Sequence, residues 1–241
     1  MTKKTSEIKK TIKPPQSDYK GILAINKPRG ITSFSLVRML RKQLNVQKIG
    51  HAGTLDPFAD GVMVMLVGRD YTRLSDSFLH ADKEYVGTIH LGIATDTYDC
   101  DGESTFESPL IPSQDDLERI ISEFQGKIMQ TPPMYSAKKI NGVKLYDLAR
   151  NGVTVEREPV EVTVETKLMS YNYPHAIISV KCSKGTYIRS IAHEIGERLG
   201  CGGHLSSLTR TRSGTYNLAD CVDEKQFTSP EELIKNLRHQ Q

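Results

Sequence analysis

The sequence predicts a protein of mixed strands and helices, and three observations lead there. Val62 to Val67 is an apolar run without a polar residue, as in a strand buried on both faces. Glu84 to Leu91 and Val153 to Ser170 alternate with the period of half-buried strands. Val37, Leu40 and Leu44, and later Leu117, Ile120, Ile121 and Phe124, recur at helical spacing.

In chain order, residues 1–19 are rich in Lys, Ser and Thr, contain Pro14 and Pro15, and read as a disordered basic tail ahead of one domain over 20–241. Gly21 to Asn26 reads as a strand, Lys27 to Gly30 as a turn, and Thr32 and Ser33 as the cap of the first helix. Lys27 is either a solvated turn residue or, beside a capped helix, a phosphate contact. Residues 47–61 place three glycines, a histidine and two aspartates between core segments. Gly50, Gly53 and Gly61 would permit special backbone conformations there, and the Asp56-Pro57 pair a rigid turn. Taken alone, Asp56 reads as the carboxylate of an Asx-turn. Arg69 to Phe78 reads as a short helix, Glu84 to Leu91 as a strand, and Ser113 to Gln125 as a helix. Between these, residues 96–103 have the composition of a calcium loop but the wrong register: with Gly102 as the turn glycine, ligands would fall on Thr97 and Ser108.

Residues 130–152 form a long excursion with two prolines, aromatics and four bases, a composition suited to nucleic acid because rings stack on bases while cations meet phosphates. Its helix is expected at Leu145 to Arg150. Val153 to Ser170 supplies one or two strands and Ala176 to Cys182 another. Tyr187 and Arg189 then sit at a strand-to-helix junction, with Ile191, Ile195 and Leu199 on the buried helical face. His204 to Asn217 reads as a polar loop and strand in which Arg210 and Arg212 share a face.

Composition bounds the function. Hydrophobic residues make up 37% of the 241, charged residues 25%, and the net charge is +3. No apolar run approaches the ~18 residues of a membrane span, and no signal-peptide core is present, so a cytoplasmic protein is expected. Cys100, Cys182, Cys201 and Cys221 lack metal or disulfide spacing, and the histidines show no paired zinc pattern. Charge is segregated: residues 95–125 hold nine acids against Arg119 alone, whereas 181–214 carry six bases against Glu194 and Glu197. A basic patch is the footprint of a polyanionic partner.

Six separated segments carry a family resemblance: 26–33 (Asn-Lys-Pro-Arg-Gly-Ile-Thr-Ser), 50–57 (Gly-His-Ala-Gly-Thr-Leu-Asp-Pro), Lys83 to Tyr85 with Leu91 and Gly92, 95–99 (Thr-Asp-Thr-Tyr-Asp), 130–138 (Gln-Thr-Pro-Pro-Met-Tyr-Ser-Ala-Lys) and 184–190 (Lys-Gly-Thr-Tyr-Ile-Arg-Ser). In this order they resemble the TruB family of tRNA pseudouridine synthases, over about Gly21 to Asn217. The resemblance implies an α+β pseudouridine synthase fold: a central mixed, mostly antiparallel sheet flanked by helices and loops, with an RNA-binding cleft. It implies isomerisation of uridine to pseudouridine at position 55 of the tRNA T loop, with the base flipped out and no cofactor or metal. It assigns Asp56 as the catalytic carboxylate, a nucleophile toward the uridine or, in the alternative, a base at the sugar. Arg189 would be its partner, holding it ionised; Tyr85 the ring stacked on the uracil; and Tyr187 a second active-site tyrosine.

Leu208 is expected to close the pocket, His51 to fill the disrupted T loop, Lys27 to contact the RNA backbone or support the loop, and Lys138 and Arg210 to contact RNA. Residues 130–152 match a thumb-like RNA-binding insertion, whose bases would lie across the cleft entrance from the acidic block at 95–125 or farther away. The expected partner is the T-stem loop of tRNA, bound by a monomer away from any membrane. Only some 24 residues follow Asn217, which leads to the expectation of a minimal form without the small C-terminal RNA-binding domain.

Overall fold

The structure is a computed structural model that describes residues 17–140, 142–223, 227 and 229–239. Of the expected basic tail, residues 1–16 lie outside the described residues.

The chain runs β1 (Gly21–Lys27), α1 (Ser33–Leu44), β2 (Ile49–His51), β3 (Asp60–Val67), α2 (Arg69–Thr72), α3 (Ser75–His80), β4 (Lys83–Leu91), β5 (Ile93–Thr95) and β6 (Ser104–Glu107). It continues through α4 (Gln114–Ser122), β7 (Gln125–Gln130), β8 (Lys139–Ile140), β9 (Val143–Lys144), α5 (Leu145–Arg150) and β10 (Val160–Asn172). The last elements are β11 (His175–Cys182), α6 (Ile188–Arg198), β12 (Gly203–Ser213), β13 (Tyr216–Asn217) and α7 (Pro230–Lys235).

One sheet organises the fold, in the order β1-β3-β12-β4-β11-β10-β7, with β2 on β3 and β13 on β12. Its pairings are antiparallel except β3 with β12, where Gly61 lies opposite Arg210. This is the mixed, mostly antiparallel sheet that the resemblance implied. Among the described residues no helix is long and apolar enough to cross a membrane.

The main core lies on one face of the sheet, where Leu36, Val37, Leu40 and Leu44 of α1, Leu117, Ile120 and Ile121 of α4, and Ile191 and Ile195 of α6 meet Leu23, Met63, Ile89, Val164 and Ile178. The other face of β3 is covered too: Val62, Val64 and Leu66 pack with Ile22 and Ala52 beneath Tyr71, Phe78 and Tyr216. Burial on both sides explains why this strand has no alternation. Helix α1 begins where Thr32 accepts a hydrogen bond from the Ser35 N–H, and α4 where Ser113 accepts from Asp116.

Two glycines allow close approach. A Cβ on Gly61, which sits at φ +106°, would fall 2.3 Å from the Arg210 carbonyl oxygen, and one on Gly196 would overlap Gly202 and Gly203, where α6 meets the start of β12. Gly50, by contrast, has no left-handed φ, so the special conformation expected of it is not needed.

Several elements differ from expectation. Residues 69–80 form two short helices, and residues 153–159 contain no strand, so β10 is one long strand that starts later. The polar-looking segment after His204 is β12, which lies between β3 and β4 in the interior of the sheet. Its polar groups have buried partners: His204 Nδ1 lies 2.9 Å from the Ile93 carbonyl oxygen, and Ser206 donates to the Thr88 carbonyl at 3.0 Å. Residues 130–152 form the small β8–β9 hairpin and α5, anchored by the fully buried Leu145.

Candidate active site

Asp56 stands in the connection from β2 to β3, and the backbone beneath it is tied down one carbonyl at a time. The oxygens of Gly53 and Thr54 accept from Arg210 at 3.3 and 3.4 Å, and that of Leu55 from Ser33 Oγ at 3.0 Å. Asp56 O accepts from the Ala59 N–H at 3.2 Å, Pro57 O from the Gly30 N–H at 2.8 Å, and Phe58 O from Arg29 Nε at 2.7 Å. Six consecutive carbonyls therefore have donors, five of them from two distant parts of the chain, Arg210 and residues 29–33. Ser33 Oγ also accepts from the Leu55 N–H at 3.0 Å, so one buried hydroxyl serves both ends of that residue. A loop held this densely can aim a side chain.

These contacts turn Arg210, expected on RNA, toward the loop, and give Lys27 the loop-supporting role that was its alternative to an RNA contact. Arg210 is 1% exposed, its Nε donates to the Val62 carbonyl at 2.7 Å, and its remaining nitrogens grip the loop. Lys27 is fully buried and donates to the carbonyls of Pro28 and Ile31 at 2.9 Å and of Pro57 at 3.5 Å. Neither side chain presents its charge to the surface. Their cations are met by backbone dipoles, which makes burial of unpaired charge tolerable.

The Asp56 carboxylate meets Arg189 from the first turn of α6, with Nε to Oδ2 at 2.9 Å. The arginine is 4% exposed, while the aspartate side chain keeps 36% of its surface, so a substrate can reach the carboxylate but not the guanidinium. Arg189 is shared. Its Nη1 pairs with Asp99 Oδ2 at 3.1 Å and donates to the Thr97 carbonyl at 2.9 Å, and its Nη2 donates to the Tyr135 carbonyl at 2.7 Å.

Burial pushes the Asp56 carboxyl above its ordinary value; Arg189 pulls it down as the next influence, Asp99 adds to the rise, and Lys27 opposes it. The arginine acts in the expected direction, yet the net shift is upward, because burial outweighs a cation already divided between two carboxylates.

Arg189 also ties the segment of the acidic block to the start of the 130–152 insertion. Both segments bond to this one guanidinium, and the Tyr135 hydroxyl donates to Asp96 at 3.4 Å.

The aromatic candidates lie on neighbouring elements. Tyr85, on β4, is paired in register with Val180 and Arg210, and is partly buried against the core. Burial raises its hydroxyl pKa; Arg210 opposes the rise, and the nearby Asp56 charge adds to it. Tyr187 caps α6 with its backbone clamped by Gln130, whose side chain accepts from the Tyr187 N–H at 2.7 Å and donates to its carbonyl at 3.1 Å. A recess of about 320 Å³ opens beside it, lined by Gln130, Lys138, Val162 and Gly185 among others, so Lys138 sits on the Tyr187 side of the site.

His51 ends β2, one residue before Ala52 enters the smaller core. Burial and the Arg210 cation lower its pKa, and its Nδ1 is a buried atom without a partner. Leu208 is 6% exposed in the main core, next to Gly87.

Asp99, Gln130, Ser33 and Arg29 were not singled out from sequence, although each lies within a segment that was. Asp99 was hidden among nine acids, and nothing local marks the one acid that is buried. Among the described residues, no group of three or more His, Cys, Asp or Glu is placed to hold a metal ion.

Comparison with known proteins places this arrangement in a family. Residues 41–188 match the family model described as TruB family pseudouridylate synthase, N-terminal domain, and residues 189–240 that of the tRNA pseudouridylate synthase B C-terminal domain. The second match begins at Arg189 and includes β12, so within this fold it completes the central sheet. The chain is 56% identical over 232 residues to tRNA pseudouridine synthase B of Protochlamydia amoebophila, covering 96% of this chain and 88% of that protein. It is 54% identical to the enzyme of the same name from Chlamydia trachomatis serovar L2, over 88% of each. Among solved structures, a Cbf5-Nop10-Gar1 complex aligns with a TM-score of 0.70 and 28% identity over 91% of this chain, which spans 60% of the aligned chain there. The chain belongs to the TruB family of pseudouridylate synthases.

Proposed function

We propose that this protein isomerises uridine at position 55 in the T loop of tRNA, with Asp56 as the catalytic carboxylate and the target base flipped out of its stack. The observation that carries this reading is the 2.9 Å pair between a reachable Asp56 and a buried Arg189, on a loop whose carbonyls are individually held. In the reaction the bond from N1 of uracil to the sugar breaks and a bond from C5 to the same carbon forms. The C5 hydrogen leaves as a proton and N1 gains one, so the atoms balance without a redox or group-carrying cofactor.

Asp56 begins the sequence as a nucleophile toward the uridine or as a base that takes a proton from the sugar. Tyr85 stacks on the extruded base, with Tyr187 and Leu208 completing the pocket wall. Extrusion costs a few kcal/mol of stacking and pairing. His51 fills the vacated position in the loop, a role supported by its buried Nδ1 having no partner among the described residues. Residues 20–241 act as one catalytic domain, and the insertion at 130–152, with Lys138, closes over the T-stem. The protein works on free tRNA, a reading favoured by relatives named for tRNA at 54–56% identity over the 28% of the Cbf5 complex, and acts as a cytoplasmic monomer.

Incubation with a bare tRNA transcript, followed by carbodiimide labelling and primer extension, tests the assignment. A single stop at position 55, absent when that uridine is replaced by cytidine, is expected without guide RNA. Modification at another uridine, or activity only with a guide RNA, overturns it.

A further inference from the structure

Beyond the reaction site, the outer face of α1 has an arrangement that neither the core nor the Asp56 loop uses. Its inner residues, Leu36, Val37, Leu40 and Leu44, fill the core. On the outside Phe34 is 56% exposed, with the guanidinium carbons of Arg38 and Arg41 at 5.7 and 6.0 Å from its ring centroid. A lone exposed phenylalanine carries no message. Here the ring is braced by two cations within the range of cation–π attraction, which orders an apolar surface on a solvent-facing helix.

Charge points the same way. From Tyr19 to Leu55 the chain contains seven bases and no acid, and two of the bases, Lys27 and Arg29, are used by the Asp56 loop. Arg38, Lys42 and Lys48 are exposed, and Arg41 is partly so. No carboxylate on α1 or the following turn neutralises them.

The position is equally specific. Phe34 directly follows Ser33, whose hydroxyl holds Leu55 beside Asp56, so α1 starts at the catalytic loop and runs about 18 Å away from it.

We propose that this face of α1 is a second contact surface for the tRNA substrate, where Phe34 stacks on a nucleobase outside the reacting uridine and Arg38, Arg41 and Lys42 meet the flanking phosphates. Aromatic rings interleaved with cations bind nucleic acid in this way, and stacking tolerates any base. The inference rests on the proposed tRNA function, and deepens it by adding a binding surface separate from the residues that do chemistry.

The test is the double variant Phe34→Ala/Arg38→Gln, which leaves Arg41 in place because that residue also donates to the Ile49 carbonyl. The dissociation constant for unmodified tRNA should rise about 10-fold, and the slope of log affinity against log salt should shrink by about 1. The single-turnover rate at saturating enzyme should stay within about two-fold of wild type. Phe34→Tyr should bind as wild type and Phe34→Leu should not, which separates stacking from simple apolar contact. Unchanged affinity and salt slope in the double variant overturn the inference, as does a slowed saturated rate with unchanged affinity. If wild-type protein forms no pseudouridine in tRNA, the function proposed above fails and this surface fails with it. If wild type is active and the variant binds equally well, only this surface is wrong.

Discussion

Replacing Ser33 by alanine removes one oxygen atom, and that oxygen holds the residue next to Asp56. Ser33 is 3% exposed and its hydroxyl both donates to the Leu55 carbonyl and accepts from the Leu55 N–H, each at 3.0 Å. Ser33→Ala leaves two buried backbone groups without partners. An unsatisfied buried group costs about 1–3 kcal/mol, and partial relaxation together with the better helix propensity of alanine returns some of that. A net loss of about 2–3 kcal/mol is expected, visible as a lower urea midpoint with an unchanged m-value.

The sharper expectation concerns rate. Leu55 precedes Asp56, so loosening it lets the carboxylate drift, and a displacement of about 1 Å costs on the order of 100-fold in rate. Under conditions where the variant is fully folded, kcat should fall about 10- to 100-fold while tRNA affinity stays within about three-fold. Tritium release from uridine labelled at C5 measures the first, and filter binding the second. A variant that loses stability but keeps its kcat would refute the reasoning that this cradle aims Asp56.

Other expectations follow from the same geometry. Burial raises the Asp56 carboxyl, so under the proposed role of its ionised form activity should fall with decreasing pH through a value above the ordinary carboxylate range; Arg189→Lys, with fewer donors, should move that limb further up. A pH–rate profile in which Arg189→Lys lowers the limb contradicts this. Lys27 is lowered from 10.5 to about 8 by burial, so between those values the unfolded chain binds more protons and this residue's contribution to stability rises with pH. Denaturation of Lys27→Met across that window should show a smaller rise than wild type. Tyr85→Phe should retain much of the activity and Tyr85→Leu lose most of it if the ring stacks on uracil; equal losses would assign the role to the hydroxyl.

Much of the fold was legible because local pattern and burial agree. The uninterrupted run at Val62 to Val67 is a strand covered on both faces, and the Thr32 and Ser113 caps begin helices as their chemistry dictates. Reading failed where burial is decided by distant partners. The strand β12 looked polar because its His204, Ser206 and Arg210 are satisfied by Ile93, Thr88 and Val62, far earlier in the chain.

The same limit applied to the site. A base in a sequence defaults to solvent, and only the folded loop supplies the carbonyls that hold Arg210 inside and decide between RNA contact and loop support for Lys27. Asp56 and Arg189 meet as the resemblance implied, whereas Asp99, the second claimant on the guanidinium, was indistinguishable from the acids around it.

The central claim is that the Asp56 carboxylate performs chemistry rather than holding the loop together. It is tested most directly by following tritium from a tRNA labelled at C5 of uridine, in wild type and in Asp56→Asn. Loss of the C5 hydrogen accompanies formation of the new carbon–carbon bond, so wild type should release about one equivalent per tRNA, and Asp56→Asn none, while binding the same tRNA within a few-fold of wild type. Release by Asp56→Asn at a rate near that of wild type would contradict the account.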